Sequence, residues 1–145
     1  MDVAIWNVLH DGEVSAAEGS VPGDLRLSVG ISYLCGHLPT RAEHVLVTLT
    51  GCERFEYHPY EGPPVSDPVA IAAIGLEVLS AEVAEGAIRV ECSDRGGGGY
   101  LLTRYSSTHA ATAEGQPLSQ AELEAAAERY WSLWAAEAEA RRTPL

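Results

Sequence analysis

Residues 25–32 read LRLSVGIS. Leu25, Leu27, Val29 and Ile31 alternate with Arg26, Ser28, Gly30 and Ser32. That period of two places one face of a β-strand in a core and leaves the other small or polar. Upstream, Val21-Pro22-Gly23-Asp24 is a turn in which Pro presets φ and Gly takes the left-handed position. Val14 to Gly19 reads as the strand before it. His10-Asp11-Gly12-Glu13 holds an Asp-Gly pair suited to a hairpin whose two central residues need φ > 0. Val3 to Leu9 (VAIWNVL) then reads as the first strand, rich in β-branched and aromatic residues.

Downstream, Tyr33 to Pro39 breaks the alternation and is expected to cross the core. His44 to Thr50 (HVLVTLT) is apolar enough for a central strand. Glu53 to His58 (ERFEYH) continues it, with Phe55 and Tyr57 on one side and Arg54 and Glu56 on the other. Gly51-Cys52 between them marks a bulge or a tight turn. Pro59 to Pro68 contains four prolines and one glycine and reads as an ordered surface loop. Asp67-Pro68 suits the cap of a short helix over Val69 to Ile74. From Gly75 the chain is extended: Leu76, Val78 and Leu79 lead to a Glu85-Gly86 turn, and Ala87 to Cys92 returns. Arg95 to Gly99 reads as a flexible loop, Tyr100 to Tyr105 and Thr108 to Thr112 as a last pair of strands. The segment from Ala113 to Pro117 is the turn that ends the sheet.

Ser119 and Glu122 form a capping box, which satisfies two otherwise orphan amides at a helix start. Leu123, Ala127, Tyr130, Trp131, Trp134 and Ala138 then share one helical face, and Arg141 and Arg142 complement the negative C-terminal dipole. A helix running to Arg142 is roughly 35 Å long at about 1.5 Å per residue, enough to cross the whole sheet. Burial of Leu123, Tyr130, Trp131 and Trp134 is expected to contribute on the order of 8 kcal/mol before ordering entropy, making Trp131→Ala among the most damaging changes. The fold class expected is α+β: an antiparallel sheet, sandwich-like or a half-barrel, packed against a long C-terminal amphipathic helix. Its 145 residues make one domain, 1–145.

The chain is 46% hydrophobic and 21% charged, ordinary for a folded protein, which argues against disorder. Its charge is less ordinary. Twenty-one acidic residues stand against nine basic ones, all Arg, for a net −12. Such a field repels phosphate backbones and anionic membranes and favours a cationic protein partner, although plain solubility explains it as well. Cys35, Cys52 and Cys92 form no Cys-x-x-Cys pair and lie in or beside apolar stretches, as small buried hydrophobes do. The opening MDVAIWNVLHDGE lacks a basic start, and no stretch has the length of a membrane span, so a reduced cytoplasmic setting is expected.

No motif reaches an enzyme signature. His10-Asp11 invites comparison with metal-dependent phosphohydrolases, but these need further ligands on neighbouring helices, and an Asp-Gly turn explains the pair. Cys35, His37 and Cys52, or His37, His44 and His58, lack the close ligand spacing of zinc sites, so no metal and no cofactor is expected. Gly96 to Gly99 is not followed by Lys-Ser/Thr and is no phosphate loop. The stretch Glu53 to Glu61 (ERFEYHPYE) stands out, because tyrosines beside carboxylates on a rigid loop match the anchor and rim of a protein interface. The candidate interface residues are Glu53, Glu56, Tyr57, Tyr60 and Glu61. Phe55 and Tyr57 also fit a strand whose rings fill the core.

Leu9-His10-Asp11-Gly12-Glu13-Val14, followed by Gly23-Asp24-Leu25-Arg26-Leu27-Ser28-Val29, resembles the start of small β-rich bacterial proteins. Among these are immunity proteins of polymorphic toxin systems, in which a His-Asp-Ala or His-Asp-Gly turn joins the first two strands. The likeness covers about the first fifth of the chain and carries over no functional residue. The charge points to an acidic protein-binding domain, and the likeness implies that it is an immunity-type inhibitor of a basic partner. The alternative is a small-ligand-binding or enzymatic domain with an apolar cavity between helix and sheet.

Overall fold

The computed structural model describes residues 2–142. The chain begins with helix α1 (Ala4–Val8), strands β1 (Glu13–Gly19) and β2 (Gly23–Gly30), and helix α2 (Ser32–Cys35). Strands β3 (His44–Cys52) and β4 (Arg54–Pro59) precede helix α3 (Pro68–Ile74). Strands β5 (Leu76–Ala84), β6 (Ala87–Ser93), β7 (Gly99–Arg104), β8 (Ser107–Thr112) and β9 (Pro117–Leu118) follow, and helix α4 (Gln120–Arg142) ends the described residues. The expected α+β architecture is what forms.

All strand pairs are antiparallel, in the order β4-β7-β6-β5-β1-β2-β3-β8-β9. The two ends of this order are the same two stretches of chain. β3 passes into β4 through Glu53 alone, and β7 into β8 through Tyr105 and Ser106. Glu53 N–H donates to the Arg104 carbonyl and Ser106 N–H to the Thr50 carbonyl, both at 2.8 Å, so the ladder carries on across the bend. Gly51, at φ 61°, supplies the left-handed residue at that corner. The sheet therefore curls until its ends meet, a barrel-like wall. Tyr100 to Tyr105 and Thr108 to Thr112 are thus successive parts of one bent strand, each paired elsewhere.

The period-two stretch lies in the middle of the wall. Leu25, Leu27 and Val29 pair in register with Leu49, Val47 and Val45, and all six are at most 1% exposed. Their side chains meet Phe55, Leu76, Val78, Ile88, Val90 and Leu101 across the interior. β1 and β5 pair at Glu13–Glu77 and Val14–Leu76, and the ladder runs on where Asp11 N–H donates to the Val78 carbonyl at 2.7 Å and Val78 N–H to the Gly12 carbonyl at 2.8 Å. Past this short seam, α3 lies against β1 and α1 against β5, where the Asn7 side-chain oxygen accepts from Ala81 N–H at 3.3 Å.

The expected first strand, Val3 to Leu9, is instead α1 with the turn that follows it. Ile5, Trp6, Val8 and Leu9 recur at the spacing of a helical face, and all four are buried. One helical turn seals the wall there, where a further strand would need a partner edge. His10-Asp11-Gly12 accordingly joins a helix to a strand, not two strands, with Asp11 in the left-handed region at φ 68°. Tyr33 to Pro39 does leave the sheet, and α2 begins it.

The capping box of α4 forms as read: Glu122 N–H donates to Ser119 Oγ and Ser119 N–H to Glu122 Oε1, each at 3.1 Å. Its packing departs from expectation. Leu123 and Ala126 are buried, but Trp131 is 37%, Leu133 56% and Trp134 51% exposed. The helix docks on α1 and α2 over its first three turns and then runs past the wall. Among the described residues no helix is long and apolar enough to cross a membrane.

Candidate functional site

Strand alternation settles where the candidate interface residues go. Phe55 and Tyr57 point inward, at 2% and 1% exposure, while Arg54, Glu56 and His58 face outward. Pairing then sets Glu56 and His58 of β4 beside Leu102 and Tyr100 of β7, and these beside Arg89 and Glu91 of β6. The His58 ring stacks on Tyr100 with centroids 5.0 Å apart and planes 8° from parallel. The Arg89 guanidinium sits 3.8 Å above the centre of the same Tyr100 ring.

Each end of this sandwich carries a carboxylate. Glu56 bonds His58 Nε2 at 3.1 Å and receives Arg54 Nε at 2.9 Å. Glu91 receives Arg89 Nε at 2.7 Å and the Tyr60 hydroxyl. The result is a continuous row across three strands: Arg54, Glu56, His58, Tyr100, Arg89, Glu91, Tyr60. Partial burial pushes the Glu56 carboxyl upward, but the hydrogen bonds from His58 and Arg54 outweigh it and hold the group below its ordinary range. Burial likewise works against Glu91, and the bonds from Tyr60 and Arg89 prevail. The hydrogen bond to Glu91 raises the Tyr60 hydroxyl above its usual value. Both carboxylates are therefore ionised at neutral pH, and Tyr60 stays a neutral donor.

Of the five residues singled out from the sequence, Glu56 and Tyr60 belong to this row. Tyr60 is 61% exposed, its ring held at the edge of Tyr100. Glu53 lies at the β3–β4 bend and pairs with Arg104 at 3.3 Å. Glu61 is exposed in the proline-rich loop, whose Val65 exchanges backbone bonds with Tyr57 and so covers the outer edge of β4. Tyr57 is interior and donates its hydroxyl to Asp94 at 2.6 Å. Asp94 also accepts from Gly96 N–H at 2.7 Å and Gly98 N–H at 3.0 Å. The glycine run, expected as a flexible loop, is thus pinned on one carboxylate. Tyr100, Arg89 and Glu91 escaped the sequence reading because they lie far from the Glu53–Glu61 stretch in the chain, and only strand order brings them to it, while His58 lay within that stretch and was not among the five.

A second aromatic group lies where α4 leaves the wall. Tyr130 packs on Tyr33 at 4.6 Å, and Trp131 stacks on His10 at 5.6 Å with 12° between planes. Trp134 meets Trp131 edge-on at 6.0 Å. His10 donates its Nδ1 hydrogen to the Asn7 carbonyl at 2.9 Å, and Tyr33 its hydroxyl to the His10 carbonyl at 2.7 Å.

Cys35, Cys52 and Cys92 are buried free thiols. Burial pushes Cys35 up to about 11 and Cys92 up to about 12, and it raises Cys52 despite the Thr103 contact, so none is an activated nucleophile. Among the described residues no group of three His, Cys, Asp or Glu side chains is placed to hold a metal ion. A half-open groove of about 630 Å³ runs beside β8 and the start of α4, lined by Ile5, Arg26, Leu46, His109, Gln120 and Leu123 among others. Asp2, His109 and Ser119 also line it. No protein-family model matches the chain, and neither a curated protein nor a solved structure matches it.

Proposed function

We propose that this chain is an acidic protein-binding domain that engages a cationic protein, as an inhibitor of the immunity type, through the outer face of β4, β7 and β6. The observation that carries this reading is Tyr60. It is a largely exposed ring fixed in place by Glu91, Arg89 and Tyr100 instead of sweeping through solvent. A pre-ordered tyrosine loses little rotamer freedom on binding, which suits an interface anchor. The ion pairs within the row are locally balanced, so they shape the surface, while the net charge of −12 draws a basic partner toward it. The small-ligand alternative would use the groove of about 630 Å³ between β8 and the start of α4, and it has less support because that groove is half open and the later turns of α4 run past it.

The test is titration calorimetry against the basic proteins encoded beside this chain, at low and high salt. A binder is expected whose association weakens as salt rises. Tyr60→Ala should weaken it by roughly 10-fold or more, as removal of an anchor does. Absence of any binder, or a Tyr60→Ala affinity equal to wild type, would overturn the proposal.

A further inference from the structure

The stripe that docks α4 does not stop where the domain does. Ala127, Trp131, Trp134, Ala138 and Arg141 follow one another at alternating steps of four and three residues, the spacing of a helix–helix seam. Ala127 packs against the core, whereas Trp131 and Trp134 continue the same line with large parts of their rings in water. Helical segments of about a dozen residues are marginal in water without tertiary support, and two exposed indoles add to the cost.

We propose that the overhanging half of α4 pairs, antiparallel, with the same segment of a second copy of this chain. Charge selects this occupant. Residues 131–142 carry Glu137, Glu139, Arg141 and Arg142, so the segment is neutral within a chain of net charge −12. Two copies meet there with least repulsion, while a cationic partner gains nothing from it. An antiparallel alignment that sets Trp134 of one copy over Ala138 of the other matches a large side chain to a small one. The same alignment lays the stem of Arg141 on Trp131 and brings Arg142 beside Glu128 on the flank of the seam. Opposed helix dipoles favour that direction. The paired segments are each only about 18 Å long, so the association is of modest affinity and the pair also borders the His10–Tyr33 shelf.

Sedimentation equilibrium of the full chain tests this. At roughly 200 µM, where an association of micromolar strength is well populated, the mass should be twice 15.4 kDa. Trp134→Glu should return the monomer, with any loss of helical circular dichroism confined to the overhang's share and the thermal unfolding transition of the domain retained. Glu128→Arg and Arg142→Glu should each weaken the dimer roughly 10-fold, and an equal mixture of the two should regain it. A monomeric wild type at that concentration would overturn the inference. So would a dimer indifferent to Trp134→Glu, or charge-reversed variants that fail to rescue each other. None of these readouts touches Tyr60, so this proposal and the preceding one fail separately.

Discussion

Trp6 is 1% exposed and its indole N–H donates to the Tyr105 hydroxyl at 3.0 Å, which in turn donates to the Asp2 carbonyl at 2.6 Å. Trp6→Ala would open a cavity at the end of the wall and strand that hydroxyl pair, so a loss of about 3–5 kcal/mol is expected. Trp131→Ala removes a half-solvated ring stacked on His10 and should cost no more than about 1 kcal/mol. Urea unfolding of the two variants checks the contrast, and equal losses would refute it. Asp94 has a different signature. The hydrogen bond from Tyr57, then those from the glycine amides, hold its carboxyl below the ordinary aspartate range. Its contribution is thus present above the unfolded value of about 3.9 and is lost as pH falls through the folded one. The melting temperature of Asp94→Asn should trail wild type at pH 7 and converge with it in acid. A gap independent of pH would assign the effect to packing.

Among the elements, those whose signal is local were readable from the chain. β2 alternates cleanly, Asp67 accepts from Val69 N–H at the start of α3, and Ser119 and Glu122 exchange bonds at α4. Ser119→Ala should cost about 1 kcal/mol, because it unpins the turn that seats Leu123. A loss well below that in denaturant titrations would mean that Leu123 seats the turn unaided. α1 was misread because β-branched and aromatic residues favour strands on average, while five residues at the rim of a curled wall obey the packing around them. The docking length of α4 was misread for a related reason. A stripe of apolar residues announces that something covers it, without saying that one's own sheet does. Two of the seven residues of the row, Glu56 and Tyr60, were singled out from the chain, and Arg54 and His58 lie in the same stretch. The other three, Arg89, Glu91 and Tyr100, come from β6 and β7, and pairing order leaves no mark in any single strand.

For the molecule as a whole, burial first and nearby carboxylates second raise Cys35 to about 11 and Cys92 to about 12, and burial leads the rise of Tyr33 to about 12. Unfolded thiols ionise near 8.5 and phenols near 10, roughly. The unfolded chain therefore sheds protons first as pH rises. Stability is full below about 8.5 and declines above it until the folded groups also ionise. Denaturant titrations at pH 7, 9 and 10.5 should show a falling midpoint, and a flat series would contradict the buried neutral thiols and phenols. The bent strands have a mechanical corollary. Since the same two runs of backbone close the wall on itself, the only outermost strand free to peel among the described residues is the two-residue β9, whose loss leaves the ring of strands intact. A breach of that ring is expected first at the short β1–β5 junction, where α1 and α3 serve as shutters, so the joint to watch lies within the ring of strands.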